Sequence, residues 1–224
     1  MLIQSAGEVI KHKVKRQIVL LSRYKKSTKL SVNVANHLTL SYLLLEEARA
    51  AKKYWKQYSE IIPAFDDFSG RHPRADDITN RLLNIGYHHL GDIVRKILTN
   101  NNIPPEVGLI HSARRMKSSP LVYDIMEMFR ADVVDAEVVR FLRLKKKPFA
   151  ALSQENTARF LRGINKRIER KFYLSNFKEC RSYRYYIELQ ILKLVFAVNN
   201  MTIFHPINLP VRHDSRCSKK FDSK

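Results

Sequence analysis

The spacing of apolar and polar residues predicts helices along most of the chain. Apolar residues recur every three to four positions, and glycine occurs only six times in 224 residues. Sparse turn signals favour long helices over a sheet of many short strands. The pattern therefore predicts an all-α, multi-helix domain. The predicted helices cover residues 7–24, 41–58, 76–98, 121–144, 156–172 and 183–198.

The segment 121–144 is apolar on nearly every side, which is typical of a helix in the centre of a domain. Three acids, Asp124, Glu127 and Asp135, nevertheless fall on one stripe of it. Asp124 and Glu127 are three residues apart, so their Cβ atoms should lie about 5–6 Å apart and address one site. Two buried carboxylates that close require a positive partner.

Glu47 breaks the pattern of the helix predicted over 41–58. At 3.6 residues per turn it shares a face with Leu43, Ala50 and Tyr54, where an apolar residue is expected. A carboxylate on a core-facing stripe is costly unless a cation or hydrogen-bond donors meet it. The sequence thus predicts a cation next to Glu47.

His111 follows the third predicted helix in a basic loop, just before the central helix. An imidazole together with the carboxylates of Glu47, Asp124 and Glu127 suits a divalent ion such as Mg²⁺ or Mn²⁺. An alternative interpretation is structural, with arginines neutralising the acids in ion pairs. The arginines considered for that role are Arg49, Arg95, Arg130 and Arg140.

The charge balance indicates a polyanionic partner. The chain has 41 Lys and Arg against 21 Asp and Glu, a formal net charge of +20. This excess favours nucleic acid first and a membrane surface second. Basic residues concentrate in 11–29 and 140–171, and the loop residues Arg114, Arg115 and Lys117 beside His111 suit contacts with DNA phosphates.

Nothing in the sequence predicts a membrane segment. No stretch approaches the roughly 18 apolar residues of a spanning helix, and residues 1–17 lack the apolar core of a signal peptide. We therefore expect a cytoplasmic location. The last dozen residues, 213–224, are expected to form a basic, disordered tail after a domain over 1–212.

Four segments together resemble the CRISPR-associated endonuclease and integrase of spacer acquisition, known as CRISPR-associated protein one. They are EARAAKKYW from Glu47, NRLLNIGYHHL from Asn80, GLIH from Gly108 and LVYDIMEMFRADVVD from Leu121. Their order and spacing match the catalytic domain of that family, and the resemblance covers roughly residues 10–210. Two positions depart from the family pattern, Ala48 for a glycine and Ala131 for a proline.

The resemblance implies a helical catalytic domain with one divalent metal, Mg²⁺ or Mn²⁺, held by Glu47, His111 and Glu127. It implies that Asp124 is an accessory acid and that the activity is DNA cutting and joining of 3′-hydroxyl ends by transesterification. It also implies a homodimer and a small ferredoxin-like CRISPR partner, although this chain starts near the first helix after the family's N-terminal β domain. A casposon-type transposase with the same chemistry and a non-catalytic DNA-binding remnant are the alternatives.

Overall fold

The computed structural model describes residues 1–24, 26, 30–33, 39–106, 108, 110, 119–145, 152–174 and 178–209. Seven α-helices and one π-helical segment dominate these residues, which confirms the all-α prediction. The predicted tail, 213–224, lies outside the described residues. The helices are α1 (Leu2–Ser22), α2 (Leu40–Ser59), α3 (Ile78–Asn100), α4 (Pro120–Glu127), α5 (Ala136–Arg143), α6 (Gln154–Glu169) and α7 (Tyr183–Asn199).

A short hairpin that the apolar pattern did not predict lies between α6 and α7. Strands β1 (Lys171–Leu174) and β2 (Glu179–Ser182) pair antiparallel, with Lys171 opposite Ser182. The pattern predicted that α6 continues to residue 172, but the helix ends at Glu169. A strand of four residues carries too few alternations to stand out from a helix end.

Polar caps explain where several helices begin. The side chains of Thr39, Asp77, Ser153 and Ser182 each accept a hydrogen bond from a backbone N–H of the helix that follows. These bonds satisfy donors that the first turn of a helix leaves without partners. No helix in the described part of the chain is long and apolar enough to cross a membrane.

The centre of the fold is the column formed by α4, the π-helical segment (Ala131–Asp135) and α5, and most of its residues are buried. The prediction of one continuous helix over 121–144 was wrong in this detail. A π-helical turn inserts an extra residue and re-aims the side chains that follow. Here it brings Asp135 to the phenol groups of Tyr54 and Tyr87, 2.7 Å from each.

Helix α1 packs against this column through a buried ion pair. Arg16 donates from Nε and Nη2 to the two carboxylate oxygens of Asp132, at 2.6 and 2.9 Å, and Tyr183 donates to the same carboxylate at 3.1 Å. The bidentate geometry fixes α1 relative to the centre. Arg16 is only 3% exposed, so part of the basic cluster 11–29 belongs to the interior. The expectation that this cluster faces DNA was wrong for Arg16.

Helix α3 approaches the π-helical segment most closely at Gly86. A Cβ atom on Gly86 would overlap with Cγ1 of Val134 and lie 3.3 Å from Ile164 Cδ1. At Gly91 the nearest atom would be the sulfur of Met126, at 3.3 Å, on a side chain that can move. The close packing of α3 against the π-helical segment and α6 thus depends on the absence of a side chain at Gly86.

We expect Gly86→Ala to lower the free energy of unfolding by about 1–3 kcal/mol, because overpacking outweighs the gain in helix propensity. The matched control, Gly91→Ala, should be close to neutral. Urea denaturation followed by circular dichroism measures both. Equal stability of the two variants would contradict the close approach at Gly86.

Candidate active site

Two of the predicted site residues meet at a single cation. Lys13 on α1 places its Nζ 2.5 Å from Glu47 Oε1 and 2.7 Å from Glu127 Oε2. The three side chains come from α1, α2 and α4, and they are 11%, 24% and 8% exposed. The sequence prediction that a cation lies next to Glu47 is confirmed, and in this structure the cation is an ammonium group.

Arg130 contacts the other side of Glu127. Arg130 follows Glu127 by three residues, about one helical turn. Its Nη1 lies 2.7 Å from Glu127 Oε1. Of the four arginines considered as counter-ions, Arg130 is the one paired with a predicted site acid among the described residues. The other three pair elsewhere: Arg49 with Glu46, Arg95 with Asp92 and Arg140 with Glu137.

The two carboxylates keep both cations charged. Burial opposes the charged form of Lys13, but Glu127 and Glu47 outweigh it and raise the pKa of the ammonium above its ordinary value. Burial likewise opposes the charge of Arg130, and Glu127 again raises its pKa. The site thus pairs two carboxylates with two permanent cations at neutral pH.

Asp124 is buried on α4, one helical turn before Glu127. It is 1% exposed, and its Oδ2 accepts a hydrogen bond of 3.0 Å from the backbone N–H of Ile110. Ile110 directly precedes His111 in the sequence, so Asp124 anchors the chain on which that histidine depends. The role of Asp124 as an accessory acid stays a prediction.

The remaining predicted residues are His111, Arg114, Arg115 and Lys117, and all four lie outside the described residues. Within the described part of the chain, no three His, Cys, Asp or Glu side chains group closely enough to hold a metal ion. Glu47 and Glu127 are thus two converging oxygen ligands, and a third ligand has to come from outside the described residues or from solvent.

A cleft of about 470 Å³ opens beside the ion cluster. Lys13, Glu127, Arg130, Tyr87 and Asp135 are among its lining residues. The guanidinium of Arg130 lies 4.7 Å from the centre of the Tyr87 ring, within the range of a cation–π interaction. The cleft therefore combines acids that could hold a metal with cations that could meet phosphate.

Asp135 forms the inner wall of this cleft together with tyrosines. Tyr54 and Tyr87 donate to its carboxylate, and Tyr58 donates to its backbone carbonyl at 2.9 Å. Burial raises the pKa of Asp135, while the two phenol hydrogen bonds act in the opposite direction. The sequence placed Asp135 on the acidic stripe of the centre, but nothing in it pointed to these three tyrosines.

Lys13 is the residue of this site that the sequence interpretation missed, because it was taken for part of an exposed basic face. One signal could have found it. Lys13 lies on the stripe of α1 that also carries Ile10, Gln17 and Leu20, all of them buried. A lysine on a core-facing stripe requires an acid, by the same argument that singled out Glu47.

The donor set at Lys13 fits a divalent cation. Two carboxylate oxygens from separate helices already converge on one positive charge, and hard divalent ions prefer carboxylate oxygens. Glu47 and Glu127 could hold such an ion only if the ammonium of Lys13 moved away. The side chain of Lys13 has four rotatable bonds, so this movement requires no change in the backbone.

We expect Lys13→Met to destabilise the metal-free protein by about 3 kcal/mol, because it leaves Glu47 and Glu127 facing each other without the shared cation. Thermal and urea unfolding in EDTA measure this. Lys11→Met is the matched control, since Lys11 is 46% exposed and pairs with Glu8 at the surface. A loss no greater than that of the control would show that the bridge contributes little.

Comparison with known proteins identifies the family. The family model described as CRISPR associated protein Cas1 matches residues 2–168. Two curated relatives are CRISPR-associated endonucleases Cas1 1 and Cas1 2 of Saccharolobus solfataricus. The first is 35% identical over 108 residues and the second 35% identical over 136 residues, covering 47% and 60% of this chain.

Solved structures share the fold at lower sequence identity. A CAS1 protein from Thermotoga maritima superposes with a TM-score of 0.78 at 18% identity, over 88% of this chain and 66% of that chain. A casposase bound to integration product gives 0.77 at 20% identity, over 96% of this chain and 66% of that chain. A chain of the Cas6-RT-Cas1–Cas2 complex superposes with a TM-score of 0.74 at 20% identity, over 95% of this chain and 25% of that chain.

The matched regions of the two Saccharolobus relatives amount to 30% and 42% of their own length, so this chain spans less than half of each. The family match covers well over half of this chain and includes α1, α2, α3 and the central column. It also includes Glu47, His111, Asp124 and Glu127. This chain belongs to the CRISPR-associated protein Cas1 family.

Proposed function

We propose that this protein is a divalent-metal-dependent DNA endonuclease and integrase that acts in CRISPR spacer acquisition. It would cut DNA and join 3′-hydroxyl ends to a target by transesterification. The observation that supports this most directly is the convergence of Glu47 and Glu127 on one cation, at 2.5 and 2.7 Å from Lys13 Nζ. Family membership adds the class of reaction.

Glu47 and Glu127, with His111 as a further ligand, would hold the metal. Mg²⁺ or Mn²⁺ bound there supplies Lewis-acid stabilisation of the charge that develops on the phosphodiester oxygens. Lys13, which lines the cleft, would have to withdraw from the two carboxylates when the ion binds. Arg130 remains fixed by Glu127 and by the face of Tyr87.

The basic residues of this chain would position the DNA. Arg130 and Arg71 lie over the Tyr87 ring at 4.7 and 5.4 Å from its centre and present guanidinium groups to the cleft. Guanidinium groups bind phosphate with two parallel hydrogen bonds. Arg114, Arg115 and Lys117 would extend these contacts along the backbone.

The neighbours support DNA and a CRISPR protein as partners, and the family resemblance implies the homodimer and the ferredoxin-like fold of the subunit. One solved neighbour is a casposase bound to integration product, and another belongs to a Cas6-RT-Cas1–Cas2 complex. We accordingly propose DNA, a second copy of the chain and a small ferredoxin-like CRISPR adaptation subunit as partners. The proposed location is the cytoplasm, because the substrate is cellular DNA.

We expect Glu47→Gln and Glu127→Gln each to lower metal-dependent nicking and strand transfer about 100-fold or more, because each removes a charged ligand of the ion. The assay uses branched and plasmid DNA with Mn²⁺, Mg²⁺ or EDTA. Glu46→Gln is the matched control, because Glu46 is adjacent on α2 but pairs with Arg49. DNA binding should survive in all three variants.

Full activity in either site variant would exclude that residue as a ligand. DNA binding without product from the wild-type protein in any metal would favour the non-catalytic remnant, for which Lys13 would be a permanent counter-ion. A preference for terminal repeats of a mobile element over CRISPR repeat–leader junctions would instead favour the casposon-type transposase. The same substrates thus separate the proposal from both alternatives.

We expect Mn²⁺ to raise the unfolding temperature of Lys13→Met more than that of the wild-type protein, because no ammonium competes for Glu47 and Glu127. Ligand binding stabilises by about 2.7 kcal/mol at a concentration one hundred times Kd. Calorimetric scans in EDTA and in Mn²⁺ measure the shift without any activity. The unfolding temperature of Lys11→Met should rise with Mn²⁺ as much as that of the wild-type protein, and that of Glu127→Gln should not change. A smaller shift in Lys13→Met would contradict the competition.

A further inference from the structure

A second basic surface lies outside the candidate active site. A groove of about 560 Å³ runs between α5 and α6, and apart from Gly163 and one carboxylate every residue that lines it is cationic. The cations are Arg140, Arg159, Arg162, Lys166, Arg167 and Arg170. We refer to this surface as the α6 groove.

The floor of the α6 groove is rigid. Glu137 is 1% exposed and is held by Arg140 from its own helix and by Arg167 Nε from α6, at 2.8 Å. Arg167 also donates to the carbonyl of Ala136 at 3.1 Å. A Cβ on Gly163 would overlap with Glu137, so the absent side chain lets α6 approach this carboxylate. Glu137, the one acid among the described residues that line the groove, is therefore already neutralised from inside.

The rim of the groove carries cations without acidic partners. Among the described residues, Arg159, Arg162 and Lys166 form no ion pair, and all three are exposed. They follow one another at spacings of three and four residues on one helical face. Like charges at this spacing repel each other, so an external anion would stabilise the row.

The geometry favours a phosphodiester backbone as that anion. The row from Arg159 to Arg170 extends about 16 Å along α6, a length over which duplex DNA carries about five phosphates per strand. Arginine predominates, and its planar guanidinium pairs with phosphate oxygens through two hydrogen bonds. Among the described residues that line the groove there is no large apolar side chain, which a membrane-surface helix would need.

The α6 groove lies further along the same central column that carries Glu127. Glu137 follows Glu127 by ten residues in the central column, which corresponds to about 15 Å along the helix axis. One helical turn of DNA is about 34 Å long. The axial separation of these two carboxylates is thus shorter than one turn of DNA.

We propose that the α6 groove binds the sugar–phosphate backbone of DNA that extends beyond the active-site cleft. This inference rests on the proposed function, since it takes DNA as the substrate. The contact is to phosphates alone and is independent of base sequence. Its effect is to hold the flank of the substrate while the cleft acts on the phosphodiester.

The test compares two triple variants of equal charge. The groove variant is Arg159→Gln/Arg162→Gln/Lys166→Gln, and the control is Lys52→Gln/Lys53→Gln/Lys56→Gln on the exposed side of α2. Binding of a fluorescent 30-base-pair duplex is titrated in EDTA across a series of salt concentrations. We expect the groove variant to bind about 10- to 100-fold more weakly at 0.1 M salt, with a log–log salt slope smaller by about 2–3.

The Kd of the control variant for the duplex should stay within about threefold of the wild-type value. Both variants should keep the wild-type unfolding temperature, because the altered residues are exposed. Wild-type affinity and slope in the groove variant would overturn the proposal, and so would an equal loss in the control. Loss of binding to anionic vesicles, with DNA binding intact, would overturn it in favour of a membrane. Because EDTA removes the metal, failure of nicking would not affect this result.

Discussion

The shared ion pair of Lys13 with Glu47 and Glu127 is the interaction on which the site depends. Two carboxylates from different helices would repel each other at this distance, and a single ammonium turns that repulsion into a junction of α1, α2 and α4. The two carboxylates are therefore held together without a metal ion. A divalent ion that replaced the ammonium, as proposed, would find two oxygen ligands already in place, which would lower the cost of organising them.

The π-helical turn supports this junction from the other side. It separates the direction of Asp135 from that of Glu127, so that one acid faces the tyrosines of α2 and α3 while the other faces Lys13. Arg130 lies between them, paired with Glu127 and stacked on Tyr87. π-turns of this kind are frequent at functional sites.

The large positive charge of the chain has two distinct uses. Lys13, Arg16 and Arg130 neutralise buried acids and so hold the fold together. Beneath the cationic row on α6, Glu137 is already paired with Arg140 and Arg167. The charge of the row therefore remains available to an external anion. Only burial distinguishes these uses, because lysine and arginine in both groups look the same in the sequence.

The sequence by itself determined the helical fold, the buried centre and the acids that matter, because the 3.6-residue period shows which face each residue occupies and makes a carboxylate among apolar residues conspicuous. It determined the family through four short segments around Glu47, Asn80, His111 and Glu127. The partners of those acids were decided by tertiary structure alone. Lys13 is 34 residues from Glu47 and Asp135 is 81 residues from Tyr54, and no local period connects side chains across such separations.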